Sequence, residues 1–478
     1  DVYKRQVYRR ANDSWQLEQQ LLASNAANDD HFGWSVDISG DRIVVGAPDR
    51  DGTFANSGTA YILTRIGEIW IEQQQLAGQT PDTADRFGAA VAIDGNRIAV
   101  GVPGAAATIM SIPLVDAGVV EVFDFASTWT HQETLVASAI TTGLGHALDI
   151  EGDIIVAAAS NINAYVFEND GGWAEQQILG GLSTVVTSVA LFGDQSSSAA
   201  VTGDTLVLGS AQNDDMGADA GAVNSYSWNG TGWTEDGTLS ADDATDNDRF
   251  GASLALFGDQ LLVGAPGNSE AANAAGAAYL YKAVGGTWVQ RGKILANDAE
   301  QDDALGGGSP TAVAINLDGR IVGAYLEDVD GSGTNYGAVY TSFTTPTSSL
   351  PGGSFSANQL VTLDCDDCAA IYYTTNGSTP TTASAEYTGA ITIEAVGGST
   401  TTTEIKFIAV DSRGNSGSVQ TTSLLIDVED PTVVIDPASP YQNGAVVGSA
   451  LLPIQGMAAD EAGGSGLRMV QLELRDAA

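Results

Sequence analysis

One pattern occurs six times between residues 7 and 343, and any fold must accommodate it. Its clearest copy is Phe250 to Pro266, FGASLALFGDQLLVGAP. It has a Phe-Gly start, alternating apolar residues, a short turn, then an apolar run into Gly-Ala-Pro. Trp15, Trp70, Trp129, Trp173, Trp233 and Trp288 mark the same point of successive units. Self-similarity at a period of about 40–60 residues belongs to propellers and solenoids, whose units cannot bury their apolar faces alone. FGASLAL alternates with period 2, as a half-buried strand does. QLLVGAP is more continuously apolar, which predicts cover on both faces. GAAYLY and WVQRGKIL supply two outer strands. Four antiparallel strands per unit, repeated radially, predict an all-β chain built on a multi-bladed β-propeller.

The recurring residues have structural roles in such a fold. The Gly of Phe-Gly permits close backbone approach, and the Phe fills the wedge between blades. Gly-Asp or Asp-Gly turns supply the positive φ of a tight hairpin. Pro48, Pro103 and Pro266 end strands where no ladder N–H is needed. Each Trp is expected to offer its apolar body to the next blade. The 57 Gly and 4 Met fit turn-rich β-structure better than helical bundles.

The best copies are 32–48, 87–103 and 250–266; Leu144-Gly145 and Leu305-Gly306 stand for Phe-Gly in two others. Together these copies resemble the FG-GAP repeats of integrin α-subunit propellers and their bacterial relatives. The resemblance implies six or seven four-stranded blades over residues 7–343. Residues 1–6, DVYKRQ, resemble the translation of a transposase adaptor used in sequencing libraries and are left out of the fold reading. Both ends of the chain read as cut from a longer protein.

Residues 344–350 and Pro351-Gly352-Gly353 form a linker. Beyond it, IYYTTNGSTP, YTGAITI and IKFIAVDSRGN alternate Thr-rich strands with turns. Residues 344–427 resemble the C-terminal immunoglobulin-like β-sandwich of chitobiases and β-hexosaminidases. Residues 428–478 resemble a truncated bacterial immunoglobulin-like repeat.

Charge bounds the partners. Lys and Arg total 18 against 60 Asp and Glu, a net charge of −42. Such a chain is repelled by nucleic acid and anionic lipid, which require a cationic face. No apolar run approaches the roughly 20 residues of a membrane span. The acidity suits solubility in a screening medium; alternatively, some carboxylates hold Ca²⁺, a hard cation that takes oxygen ligands.

The calcium loop of integrin propellers, D-x-D-x-D-G-x-x-D, has no counterpart in the turns SGD, DGN, EGD and FGD, so that ligand set does not carry over. The nearest match is DVDGSGTN at 328–335. Asp328, Asp330 and Ser332 have the 1, 3, 5 spacing of an EF-type loop, but Val339 stands where the closing acid belongs. The two readings are a Ca²⁺ site and a solvated acidic turn. Acidic loops before Phe-Gly (Asp29-Asp30, Asp82/Asp85, Asp242-Asp243 with Asp246/Asp248) recur at one rim, as turn caps or as a cation-dependent ligand surface. Cys365 and Cys368 form a CxxC without further zinc ligands or a βαβ context, and read as a short disulfide.

His31, His131 and His146 fall at different repeat positions on different blades and read as tolerated variation. No nucleophile elbow, phosphate loop or zinc-binding His pair appears. The expectation is a non-enzymatic, secreted or surface-anchored bacterial adhesion protein that presents propeller loops to a protein or glycan. The alternative is an accessory region of a larger secreted polysaccharide-degrading enzyme.

Overall fold

A computed structural model describes residues 5–11, 14–180, 184–192, 204–296, 298–307, 312–316, 319–324, 338–342, 346–365, 368, 370–395, 401–410, 419–426, 432–435 and 456–459. The chain divides into two compact units, 1–342 and 343–478, each taken by itself.

The first unit opens on a hairpin of β1 (Arg5–Ala11) and β2 (Ser14–Leu21), a two-stranded sheet of its own. Arg5 and Gln6 thus belong to a paired strand. Four-stranded antiparallel sheets follow. The first contains β3 (Val36–Ser39), β4 (Arg42–Ala47), β5 (Thr59–Ile66) and β6 (Ile69–Leu76). The second contains β7 (Val91–Asp94), β8 (Arg97–Val102), β11 (Val119–Phe125) and β12 (Trp129–Leu135). A small hairpin, β9 (Ala107–Ile109) and β10 (Ile112–Leu114), is inserted between β8 and β11. The third holds β13 (Ala147–Glu151), β14 (Ile154–Ala158), β15 (Ala164–Asn169) and β16 (Trp173–Leu179). The fourth holds β17 (Ser188–Phe192), β18 (Thr205–Ser210), β19 (Ala222–Trp228) and β20 (Trp233–Leu239). The fifth holds β21 (Ser253–Phe257), β22 (Gln260–Ala265), β23 (Ala277–Val284) and β24 (Thr287–Ile294). A sixth sheet has three strands among the described residues: β25 (Val313–Asn316), β26 (Gly319–Ala324) and β27 (Ala338–Ser342).

First strands of successive sheets lie side by side, from β3 through β7, β13, β17 and β21 to β25. The sheets therefore fan out from their first strands, as propeller blades do. What joins them is a contact between two glycines. The Gly of Gly-Ala-Pro or its equivalent in one blade (Gly46, Gly101, Gly209, Gly264) packs on the Gly of Phe-Gly or its equivalent in the next (Gly88, Gly145, Gly251, Gly306). A Cβ on any of the first four would collide with the second glycine's carbonyl oxygen. At Gly88, Gly251 and Gly306 that carbonyl also accepts a hydrogen bond from a buried serine of the preceding blade. Ser35 Oγ donates to Gly88 O at 2.8 Å, and Ser188 and Ser253 donate to Gly251 and Gly306 at 2.7 Å each. Bringing blades this close leaves room for nothing larger than glycine on either side.

The aromatic wedge follows. Phe87 is buried among Val44, Ala60 and Ile62 of the first blade and Val91, Ile98 and Val100 of the second. Phe250 bridges Val207 and Val223 of the fourth to Leu261 and Val263 of the fifth. The buried tryptophans differ from expectation. Trp70, Trp129 and Trp233 cluster with the preceding sheet, not the next. Glutamines are the reason. Trp70 N donates to Gln19 Oε1 at 2.7 Å, and Gln19 Nε2 donates back to Trp70 O at 2.8 Å. Gln74 makes the same pair of bonds to the Trp129 backbone, and Gln177 to that of Trp233. One primary amide here stands in for a strand at an outer edge, satisfying an N–H and a C=O that a neighbouring ladder would otherwise take.

The second unit centres on a five-stranded sheet. Thr401–Val410 runs antiparallel to Gln420–Ile426 on one side and to Ala370–Thr374 on the other. Gly353–Phe355 adds a parallel edge to Gln420–Ile426. Gln359–Val361 pairs with Ile391–Ile393, and the core between is Val361, Leu363, Ile371, Ile391, Ile405, Phe407 and Leu424. Between residues 428 and 478, the described part is one antiparallel pair, Thr432–Ile435 with Gly456–Ala459.

The glycine contact predicts a contrast. Gly264→Ala must push two backbones apart and should cost about 3 kcal/mol or more. Gly292→Ala, where a Cβ meets nothing within 4 Å, should stay within about 0.5 kcal/mol. Equilibrium urea unfolding of the two variants measures the difference.

Candidate functional site

Antiparallel order puts two kinds of loop at one end of every blade: those joining second to third strands, and those leading from a fourth strand to the next blade. Backbone hydrogen bonds tie them together across the blade boundary. Ala84 N donates to Ala55 O at 2.9 Å, Arg86 N to Asn56 O at 3.1 Å and Phe87 N to Ser57 O at 3.0 Å. The set repeats between 218–220 and 247–250. This end is a knitted surface rather than a set of free loops.

The acidic residues before Phe-Gly resolve into two kinds. Asp30, Asp85, Asp248 and Asp303 are buried and accept the backbone N–H three residues back, from Ala27, Asp82, Thr245 and Glu300 at 2.5–2.9 Å. Each closes a turn as an N-cap closes a helix. Their neighbours Asp29, Ala84, Asn247 and Asp302 have φ of 65–68°, a left-handed state stabilised by that turn. These four carboxylates are therefore committed to the turns. Asp29 and Asp82 remain exposed.

Between the first two blades, the same end gathers a mixed cluster. Asp49 Oδ2 lies 2.5 Å from His31 Nδ1, and Asp49 Oδ1 accepts from Arg86 Nε at 3.1 Å. The Arg86 guanidinium sits 5.7 Å from the Trp34 ring centre, and the His31 ring meets Trp34 edge-on at 5.8 Å. Trp34 is 41% exposed. Read as repeat variation in the sequence, His31 is thus joined to Asp49 and Trp34, both of which also meet Arg86. The other histidines are tied elsewhere: His131 Nε2 to Glu121 at 2.5 Å, and His146 Nε2 to Val186 O at 2.5 Å.

Where the first strands converge, carboxylates bridge neighbouring blades. Asp37 accepts from Ile93 N at 2.7 Å, Asp94 from Gly152 N at 2.8 Å and Asp149 from Leu191 N at 2.8 Å. Ile93 and Leu191 lie in the first strand of the following blade, and Gly152 in the turn that ends it. Burial pushes Asp37 up to about 6, opposed by its two backbone N–H bonds and aided by Asp94. Burial pushes Asp149 up to about 8, and the Asp37 charge two blades away adds to it.

Asp328, Asp330 and Ser332 lie outside the described residues. Among the described residues, no group of three or more His, Cys, Asp or Glu side chains is disposed to hold a metal ion. Cys365 and Cys368 are joined in a disulfide, with Cα atoms 5.8 Å apart. No helix among the described residues is long and apolar enough to cross a membrane.

Comparison with family models decides what the repeats are. Residues 15–63, 233–281 and 288–342 match the FG-GAP repeat, and residues 350–421 match the chitobiase/beta-hexosaminidase C-terminal domain. The chain carries FG-GAP repeats and a chitobiase-type C-terminal domain. A search of curated proteins finds no match. Each matched FG-GAP repeat begins on a Trp strand and ends on the third strand of the next sheet. A repeat therefore spans two sheets, and the Trp strand of one unit completes the blade before it. This interleaving holds neighbouring blades covalently as well as by packing.

Two of the bridging carboxylates, Asp37 and Asp149, make stability depend on pH. Asp149 has a folded pKa above its unfolded value near 3.8, so the folded state binds the extra proton. Stability from this group is full below about pH 4 and is lost as pH rises through about 8. Asp149→Asn should gain on the native protein as pH rises from 5 to 9, by roughly 1–2 kcal/mol after discounting for water screening. Parallel unfolding curves at both pH values check the sign; an unchanged gap contradicts it.

Proposed function

We propose that this chain is a non-enzymatic, extracellular binding module. In this reading, the FG-GAP blades form a stiff scaffold whose loop-bearing end contacts a protein or glycan, and the C-terminal domain acts as a spacer or accessory. The observation that carries it is the knitting of those loops by backbone hydrogen bonds across blade boundaries. A surface fixed in this way binds with little ordering cost. It also carries apolar side chains that a solvated rim does not require: Phe54, Met110, Ile112, Val115, Ile140 and Met216 are all exposed there. The β9–β10 hairpin is anchored by Ile109, 1% exposed, while Met110 at its tip is 73% exposed. Secretion or surface anchoring is part of the same proposal.

The chitobiase/beta-hexosaminidase C-terminal domain favours a second reading, an accessory region of a larger polysaccharide-degrading enzyme. Both require binding without chemistry in this chain. An array of neutral oligosaccharides and extracellular proteins, probed with the whole chain, is expected to give saturable binding to at least one ligand. Replacing Met110 and Val115 by Ser should weaken a protein ligand about tenfold, as loss of an exposed apolar anchor does. No signal above background on either half of the array contradicts the binding proposal.

A further inference from the structure

In a repeat protein, a position with one structural job keeps one kind of residue. Where blade-variable positions of one blade meet in space, they can carry something other than scaffold. The first blade shows this. Asp49 stands where the second and fifth blades have Gly104 and Gly267, glycines whose backbone amides donate to the carbonyls of Asp85 and Asp248. Trp34 stands where those blades have Ala89 and Ala252. His31 replaces the arginine found at 86 and 249. Asp49 and Trp34 both meet Arg86 of the next blade, and His31 meets Asp49 and Trp34, in the cluster described above.

The aromatic residues point to the same place. Most described aromatics are in blade cores, as Tyr61, Tyr165, Phe167 and Tyr279 are. The exposed ones among the described residues are Tyr8 at 41%, Trp34 at 41% and Phe54 at 42%. Phe54 lies on the loop that begins with Asp49. The first blade and the hairpin before it thus display the aromatic surface that the other blades bury.

From this juxtaposition we infer that Trp34, His31, Asp49, Arg86 and Phe54 form a binding site for a neutral saccharide. The assignment rests on the binding proposal above and deepens it. A sugar ring has an apolar C–H face and an equatorial belt of hydroxyls. An exposed indole offers the flat apolar partner for the first. A carboxylate held between an imidazole and a guanidinium offers fixed acceptors and donors for the second. Held that way, the Asp49 carboxylate is positioned before any ligand arrives, which lowers the ordering cost. Acidic glycans are disfavoured by the net charge of −42 and by Asp82 and Asp116, which act together on Asp85 beside this blade.

The test is calorimetric titration of the whole chain with four soluble β-linked hexasaccharides, of glucose, xylose, mannose and N-acetylglucosamine. At least one is expected to bind, and Trp34→Ala to weaken it about tenfold or more. Phe54→Ala, at an exposed loop position, should weaken it in the same direction and serves if Trp34→Ala does not fold. Val284→Ser, exposed at the β23–β24 turn on the opposite end of a blade, should leave the affinity unchanged. Absence of binding to all four sugars overturns the assignment, as does undiminished binding by both aromatic variants. If the array captures proteins alone, the saccharide site fails while the binding proposal stands.

Discussion

Everything in the first unit depends on how closely two backbones approach at the blade boundary. Where Gly101 meets Gly145 and Gly264 meets Gly306, the chains are in contact without side chains between them. That approach sets the spacing of the first strands and lets a serine hydroxyl reach the next blade's carbonyl. It also fixes the size of the wedge that Phe87 or Phe250 must fill. The motif that recurs in the sequence is therefore an interface motif. Its Phe-Gly half belongs to one blade, and the glycine it touches belongs to the blade before.

Outward from that contact, successive devices close the boundary. Near the convergence of first strands, Asp37, Asp94 and Asp149 accept from backbone N–H groups of the next blade, Asp37 and Asp149 at the cost of desolvated charge. At the outer edge, Gln19, Gln74 and Gln177 do the same with neutral amides. The difference is physical. A glutamine amide satisfies one donor and one acceptor with no charge to desolvate. A carboxylate supplies acceptors alone and must be desolvated, so burial, with the Asp37 charge adding to it, holds Asp149 far above the ordinary carboxylate range. Scaffold stability and pH response are set by the inner row of groups.

Repetition made the fold legible in the sequence. Six copies of Phe-Gly and an apolar run located the strands, the Phe wedge and the glycine approach. The sidedness of the tryptophans was not legible, because a strand pattern does not say which neighbour a residue faces. The signal was present in the glutamine four residues after Trp15, Trp70 and Trp173, but its partner is a backbone in another blade. The acidic turns were half legible: recurrence marked them, but only coordinates separate the buried cap Asp248 from an exposed carboxylate such as Asp82. The His31 cluster was hidden for the opposite reason. Its first-blade members His31, Trp34 and Asp49 differ from the second and fifth blades, and in a linear reading such differences look like drift until the fold brings Asp49 to Arg86.

If the glycine contact makes the blades one cooperative body, the boundary amides should open together. Native-state hydrogen exchange on Gly33, Gly88, Gly101, Gly145 and Gly251, all donors in backbone bonds at or beside these contacts, measures this directly. The account predicts a common opening free energy equal to that of global unfolding. Distinct, lower values that differ from blade to blade would contradict it.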